Sequence, residues 1–195
     1  MSEYDLYTHH TRKSLAGQLS RFLPAEAVLT TEEDLRPYEC DGLSAYHRLP
    51  LMAVLPDTIE QVQAVLQLCQ HENVPVVARG AGTGLSGGAL PIDNGVLLSL
   101  AKFNRILEVD PVNRTARVEP GVRNLAISEA VAPHGLFYAP DPSSQIACTI
   151  GGNVAENSGG VHCLKYGLTV HNVLQVKLLT SEGEAVTLGG SGLDA

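Results

Sequence analysis

The stretch "PVVARGAGTGLSGGALP", Pro75–Pro91, is dense in glycine and contains a single arginine and a single threonine. Glycine lets the backbone approach a neighbouring group closely and adopt positive φ angles that other residues avoid. A segment with so few side chains therefore indicates a loop whose backbone, rather than its side chains, meets a ligand.

Within this stretch, Gly82–Gly87 ("GTGLSG") matches the G-x-G-x-x-G pattern of dinucleotide-binding folds. That pattern needs a helix to start inside the motif, so that phosphate meets the helix N-terminus. Here Gly88 and Pro91 would break such a helix, and the apolar run Val96–Leu100 predicts a strand. A Walker A loop would also need lysine where Gly88 stands. The sequence predicts strand, glycine loop, strand, with backbone amides that could hold an anion.

Composition and charge narrow the class of partner. The chain has 195 residues, 44% of them hydrophobic, with 13 basic against 21 acidic residues and a formal net charge of −8. This balance argues against nucleic acid or an anionic membrane surface as the main partner. No stretch approaches the ~20 apolar residues of a membrane span, and the first residues lack an apolar signal region. We expect a cytoplasmic protein without a transmembrane segment.

Cysteine and histidine positions give no metal site. The cysteines are widely spaced and form no C-x-x-C pair, which is typical of reduced thiols: Cys40, Cys69, Cys148 and Cys163. His9 and His10 lie in a polar segment, where solvation explains them. His162 and Cys163 are adjacent and would point apart on a strand. The sequence therefore predicts no bound metal.

The first half of the chain predicts a βαβ unit. Apolar spacing from Leu15 predicts a first helix that ends near Pro24. Leu51–Gly80 then contains a buried strand, a helix with a Thr58–Gln61 capping box, and a second strand, joined by a right-handed crossover. The predicted apolar face of that helix consists of Ile59, Val62, Val65, Leu66 and Cys69.

The second half predicts mainly antiparallel structure. Two segments, "ILEVDPVNRTARVEPG" and "LQVKLLTSEGEAVTLGG", predict hairpins turning at Pro111–Asn113 and Ser181–Gly183. Gly121–Gly135 predicts a short amphipathic helix that stops at Gly135. The fold class is therefore α+β, with a small parallel βαβ lobe followed by a mainly antiparallel lobe.

A second glycine-dense segment runs from Tyr138 to Gly167, "YAPDPSSQIACTIGGNVAENSGGVHCLKYG". Its prolines predict an extended stretch ending in Ser143 and Ser144, whose hydroxyls can donate to phosphate or to the edge of a heterocycle. Tight turns would explain one glycine pair. Two such segments in one chain favour one extended ligand that contacts both.

Together the two segments resemble the PCMH-type FAD-binding domain of the vanillyl-alcohol oxidase/p-cresol methylhydroxylase superfamily. Within it they are most similar to the group containing the flavoprotein subunit of glycolate oxidase and the D-lactate and D-2-hydroxyglutarate dehydrogenases. The resemblance covers about Leu51–Gly190 and implies two lobes that enclose an extended FAD. Residues 1–50 are assigned to an N-terminal helical segment, and residues 51–195 to the FAD-binding domain, which the family's pattern makes C-terminally incomplete.

The resemblance also implies which residues hold FAD. The first loop would wrap the pyrophosphate with Arg79, Gly80, Ala81, Gly82, Thr83, Gly84 and Ser86. The second segment would line the ribityl and isoalloxazine side with Pro140, Ser143, Ser144, Thr149, Gly151, Gly152 and Asn153, and would approach the adenine half at Gly159 and Gly160. The alternative for Arg79 is an ordinary salt-bridged surface arginine. Thr83 stands where many relatives carry a flavin-linking histidine, and Cys148 is expected to be a buried apolar residue. FAD is therefore expected without a covalent link.

The activity implied by the resemblance is oxidation of a small 2-hydroxy acid, glycolate to glyoxylate, with hydride passing from C2 to the flavin. Electrons would continue to additional oxidase subunits or a quinone, and any contact with the inner membrane would run through those partners. The substrate arginine and catalytic base of the family belong to a cap domain, expected beyond Ala195, so the chain alone is expected to turn over little substrate. The alternatives are a D-lactate or D-2-hydroxyglutarate dehydrogenase and a flavin-binding module without turnover.

Overall fold

The structure, a computed structural model, describes residues 3–190, with side chains from residue 11 onward. It divides the chain into two units. Unit 1 contains the residues up to Lys102 together with Leu179–Glu184, and unit 2 contains Phe103–Leu178 and the residues from Ala185 onward. Each unit has its own strands and its own apolar core.

A four-stranded sheet organises unit 1, and its strands are β1 Val28–Leu29, β2 Met52–Val54, β3 Val76–Arg79 and β4 Val96–Ser99. Their order in the sheet is β1-β2-β4-β3. Both β2 and β3 run parallel to β4, whereas β1 is antiparallel to β2. Every residue of β2 and β4 is buried, as expected for central strands covered on both faces. The predicted βαβ unit is present, but its two strands are not neighbours, because β4 lies between them.

The α-helices described in unit 1 are α1 Glu3–Leu19, α2 Glu32–Leu35 and α3 Ile59–His71. The prediction for the first helix is wrong in its bounds, because α1 begins well before Leu15 and ends at Leu19 rather than near Pro24. Helix α3 begins as expected: the Thr58 hydroxyl accepts from the Gln61 N–H at 3.2 Å, and the Gln61 side chain accepts from the Asp57 N–H at 2.9 Å. Val62, Val65 and Cys69 are its buried face, but the prediction for Ile59 is wrong. Ile59 is 55% exposed because it occupies the first turn, at the end of the packed face.

The described part of unit 2 contains the predicted strand pairs and three α-helices, although Leu179, at the end of β7, is counted with unit 1. The elements are β5 Ile106–Asp110, β6 Thr115–Val118, α4 Asn124–Val131, α5 Ile150–Glu156, α6 Cys163–Tyr166, β7 Gln175–Leu179 and β8 Ala185–Gly189. The β5–β6 pair is antiparallel, and β7 and β8 form a second two-stranded sheet. Helix α4 continues into a 3₁₀ turn and stops at Gly135, which has φ +69°, as expected for a helix-ending glycine.

The strand conformation considered for His162 and Cys163 is wrong. His162 precedes α6, a single helical turn that begins at Cys163, ends at Tyr166 and is followed by Gly167 at the C-cap position. Helix α5 likewise forms across a glycine pair of low helix propensity, because tertiary contacts override propensity. The N–H groups of Ile150 and Gly151 donate to the carbonyls of Val122 and Pro120 at 2.9 and 2.8 Å.

In the part of the chain that the structure describes, no helix is both long enough and apolar enough to cross a bilayer.

Candidate functional site

The glycine loop of unit 1 leaves the carboxyl end of β3 and leads to β4 without an intervening helix. The strand, loop, strand prediction is therefore confirmed. The backbone N–H groups of Ala81, Gly82, Thr83 and Gly84 donate no hydrogen bond to any residue that the structure describes. A run of consecutive backbone amides without partners inside the protein suits an anionic ligand.

Arg79 lies beneath this loop and supports it. Its side chain is 9% exposed, and Nη1 donates to the carbonyl oxygens of Cys40 and Ala89 at 2.8 and 3.4 Å. The guanidinium carbon also lies 5.8 Å from the centre of the Tyr38 ring. Burial lowers the pKa of Arg79, although charge interactions with its neighbours partly oppose this shift. The surface-arginine alternative is wrong, and the buried cation contributes positive potential under the free amides.

Gly82 has a conformation that glycine adopts readily. Its φ is +67°, and a Cβ built on it would overlap the guanidinium of Arg79. Thr83 and Gly84 are half-buried, whereas Ala81 and Ser86 are exposed. The guanidinium therefore fills the space under Gly82, and the loop presents its backbone outward.

In unit 2, the second predicted segment begins with a turn. The Gln145 N–H donates to the Pro142 carbonyl at 2.8 Å, and the Cys148 N–H donates to the Ser144 carbonyl at 2.8 Å. Ser143 is exposed on this turn and Ser144 is half-buried. The serine hydroxyls thus lie directly before the residues that lead into α5.

Thr149, which precedes α5, carries a buried hydroxyl that needs a partner. The residue is 7% exposed, and its Oγ1 has no hydrogen-bond partner among the residues described. Although Thr149 occupies the N-cap position, its side chain does not cap the helix. A buried hydroxyl left unpaired is costly, so this atom fits the polar part of a bound ligand.

Asn153 and Pro140, both predicted to line the ligand, are joined through a third residue. The Asn153 side chain is 2% exposed and donates from Nδ2 to Asn124 Oδ1 at 2.8 Å. Asn124, fully buried at the start of α4, donates in turn to the Pro140 carbonyl at 3.0 Å. The Asn153 amide is therefore occupied by protein, while Gly151 and Gly152 are half-buried on the same helix.

Gly160 lies against the Pro140 segment, whereas Gly159 lies against the side chain of Leu168. A Cβ on Gly160 would overlap the Asp141 carbonyl. The Asp141 carboxylate accepts from the His162 N–H at 3.2 Å and lies 2.6 Å from His162 Nδ1. Burial alone would raise the pKa of Asp141, but the hydrogen bonds from His162 lower it below its ordinary value. The contacts between Asp141 and His162 thus join the segment that contains Pro140 to the segment that contains Gly160.

Four residues that shape these segments were not predicted as site residues: Cys40, Asn124, Asp141 and His162. Asp141 and His162 stand inside the quoted segment, next to the prolines and the glycine pair, so their position was an available signal. Cys40 acts through its carbonyl and Asn124 from another helix, and neither shows a sequence signal. Cys148 is 4% exposed, which confirms its prediction as a buried residue.

Comparison with known proteins identifies the kind of chain to which these segments belong. The family model described as an FAD binding domain matches residues 50–189. The glycolate oxidase subunit GlcD of Escherichia coli (strain K12) is 64% identical over 94% of this chain and 37% of that protein. A D-lactate dehydrogenase of Anaerostipes hadrus is 35% identical over 98% of this chain and 40% of that protein. The chain thus spans well under half the length of these relatives.

A crystal structure of p-cresol methylhydroxylase with substrate bound has the same fold. It superposes with a TM-score of 0.76 at 26% identity and covers 90% of this chain and 35% of that one. The resemblance predicted from the two glycine segments and the α+β fold class are both confirmed. The predicted residues up to Ser86 lie in unit 1 and those from Pro140 onward lie in unit 2.

Proposed function

The chain belongs to the FAD binding domain family, and we propose that it is the FAD-binding part of a flavoprotein that oxidises glycolate to glyoxylate. FAD is its cofactor. The observation that carries the substrate is the 64% identity, over 94% of this chain, to a protein named as a glycolate oxidase subunit. That level of identity supports glycolate over other small 2-hydroxy acids.

Each unit, taken by itself, contains residues that suit FAD. In unit 1, the free amides of Ala81–Gly84 would bind the pyrophosphate, with the buried Arg79 cation adding attraction from beneath. In unit 2, the unpaired Thr149 hydroxyl and the Ser143 and Ser144 hydroxyls would bind the ribityl and isoalloxazine side. Gly159 and Gly160 would allow the adenine half to approach the backbone.

When bound, FAD supplies the acceptor for the hydride that leaves C2 of the 2-hydroxy acid. This chain's contribution is to bind and orient the cofactor. The electrons would continue to additional subunits of the oxidase, because the similar protein is itself named as a subunit. We place the protein in the cytoplasm, with any membrane contact made through those subunits.

The test is the activity of the protein as the cell makes it, purified together with its partner subunits. We expect it to contain FAD and to reduce an artificial electron acceptor with glycolate. Its kcat/KM for glycolate should exceed that for D-lactate and D-2-hydroxyglutarate by about tenfold or more, since one substituent on a substrate is worth about 1–3 kcal/mol. A preference for D-lactate would favour the dehydrogenase alternative instead. FAD binding without turnover of any 2-hydroxy acid would favour a non-catalytic flavin module.

A second prediction is that the flavin is held without a covalent bond. Thr83 is a poor nucleophile without a neighbouring base, and Cys148, at 4% exposure, is shielded within unit 2. Acid precipitation of the holoprotein should therefore leave the yellow colour in the supernatant. Colour that stays with the polypeptide in the wild type and leaves it in Cys148→Ser would contradict the prediction and identify the linking atom.

A further inference from the structure

Asn124 is a buried amide that lies between two segments assigned to FAD and belongs to neither. It is 0% exposed at the first position of α4. Its Oδ1 accepts from Asn153 on α5 at 2.8 Å, and its Nδ2 donates to the Pro140 carbonyl at 3.0 Å. One side chain therefore joins helix α5 to the extended segment that precedes Ser143.

We propose that Asn124 is a positioning residue for FAD. By holding Pro140 and Asn153 at a fixed separation, it fixes the environment of the flavin ring without touching it. The inference rests on the proposed function, because it assumes that FAD binds along the Pro140 segment and the start of α5.

Backbone hydrogen bonds hold Asn124 in place at the start of α4. The N–H groups of Asn124 and Leu125 donate to the carbonyls of Cys148 and Gln145, each at 3.0 Å. These bonds attach the start of α4 to the residues that connect the Pro140 segment with α5. The side chain of Asn124 therefore acts from a position set by the same segment that it orients.

Hydrogen-bond chemistry allows this network one satisfied arrangement. The Pro140 carbonyl can only accept, so Asn124 must turn its NH₂ group toward it. Asn124 Oδ1 then faces Asn153, which must present its own NH₂ group. Reversing either amide would bring two acceptors or two donors together inside the protein, where unpaired polar groups are costly. The network therefore stabilises one arrangement of Pro140, Asn124 and Asn153 over the alternatives.

The test uses two substitutions that break different parts of the network. Asn124→Asp keeps an acceptor for Asn153 but places a carboxylate oxygen against the Pro140 carbonyl, and Asn124→Ala removes both bonds. Controls are Ile127→Val and Ile127→Ala, because Ile127 is a core residue of the same helix, 5% exposed and packed with Val122 and Ile150. The controls lower stability without entering the network.

Each variant of the FAD-containing protein would be stripped of FAD and retitrated. The measurements are the dissociation constant of FAD, the thermal midpoint without FAD, and the absorption spectrum and reduction potential of the bound flavin. The Ile127 variants define how FAD affinity falls with stability alone. We expect the Asn124 variants to lose about tenfold more affinity than that relation gives, the equivalent of one buried hydrogen bond, and to shift the flavin spectrum.

Asn124 variants that follow the Ile127 relation, with an unchanged spectrum and potential, would show an ordinary structural residue and overturn the proposal. Wild-type protein that binds no FAD would overturn the proposed function and this inference with it, and is recognised before any variant is made. If Asn124→Ala does not fold, Asn124→Ser decides by the same comparison.

Discussion

Gly82→Ala should weaken FAD binding about a hundredfold, because it changes the loop that is assigned to the pyrophosphate. Gly82 has φ +67°, where an L-residue costs about 1–2 kcal/mol. The new Cβ would also overlap the Arg79 guanidinium and displace it from the carbonyls of Cys40 and Ala89. Hydrogen bonds from a charged donor are worth about 1.5–3 kcal/mol each. The strain together with the loss of one of these two hydrogen bonds reaches the ~2.8 kcal/mol that corresponds to a hundredfold change in affinity.

Gly87→Ala is the matched control in the same loop. Gly87 has φ +77°, so it carries similar strain, but a Cβ there meets no described atom within 4 Å. We expect it to lose about tenfold in FAD affinity, the strain component alone. Fluorescence titration of FAD-free protein measures both variants, and thermal unfolding without FAD separates folding from binding. Equal losses in the two variants would remove Arg79 from the explanation, and wild-type affinity in Gly82→Ala would refute the pyrophosphate assignment.

Local signals predicted the parts of the fold that depend on neighbouring residues in the chain. Thr58 and Gln61 stand three residues apart, and the bond between them in the first turn of α3 is a contact within one short stretch of the sequence. Glycines and Pro91 between β3 and β4 exclude a helix there, so the loop was also predictable. The family resemblance then followed from the order and spacing of the two glycine-dense segments, which can be read directly from the sequence.

Properties that arise from packing were not predictable. No pattern in Val96–Ser99 states that β4 pairs with both β2 and β3, because buried parallel strands share one apolar composition. Arg79 could be placed at the surface or under the loop until the position of the Cys40 carbonyl was known. Asn124 resembles an ordinary helix-starting residue in the sequence. Its role comes from Pro140 and Asn153, which lie 16 and 29 positions away.

Gly160→Ala should reduce both the FAD content and the stability of unit 2. A Cβ at this position would overlap the backbone carbonyl of Asp141, and a carbonyl cannot rotate away as a side chain can. Separating the two segments would break the contacts between Asp141 and His162, at 3.2 Å to the N–H and 2.6 Å to Nδ1. Overpacking of this kind costs about 1–3 kcal/mol. The thermal midpoint of the FAD-free protein and the FAD content after purification measure the two effects.

Gly152→Ala is the control for stability, because it adds the same methyl group where the protein leaves room. Gly152 lies inside α5, and the nearest atom to a new Cβ is Thr149 Oγ1 at 3.7 Å. Alanine is favoured over glycine within a helix by about 1 kcal/mol, so this variant should be at least as stable as the wild type. Stability retained together with lost FAD would mean that the cofactor meets the backbone at Gly152. Wild-type stability and wild-type FAD content in Gly160→Ala would contradict the prediction. The Asp141 and Gly160 segments could then separate without cost, and their close approach would not be needed to bind FAD.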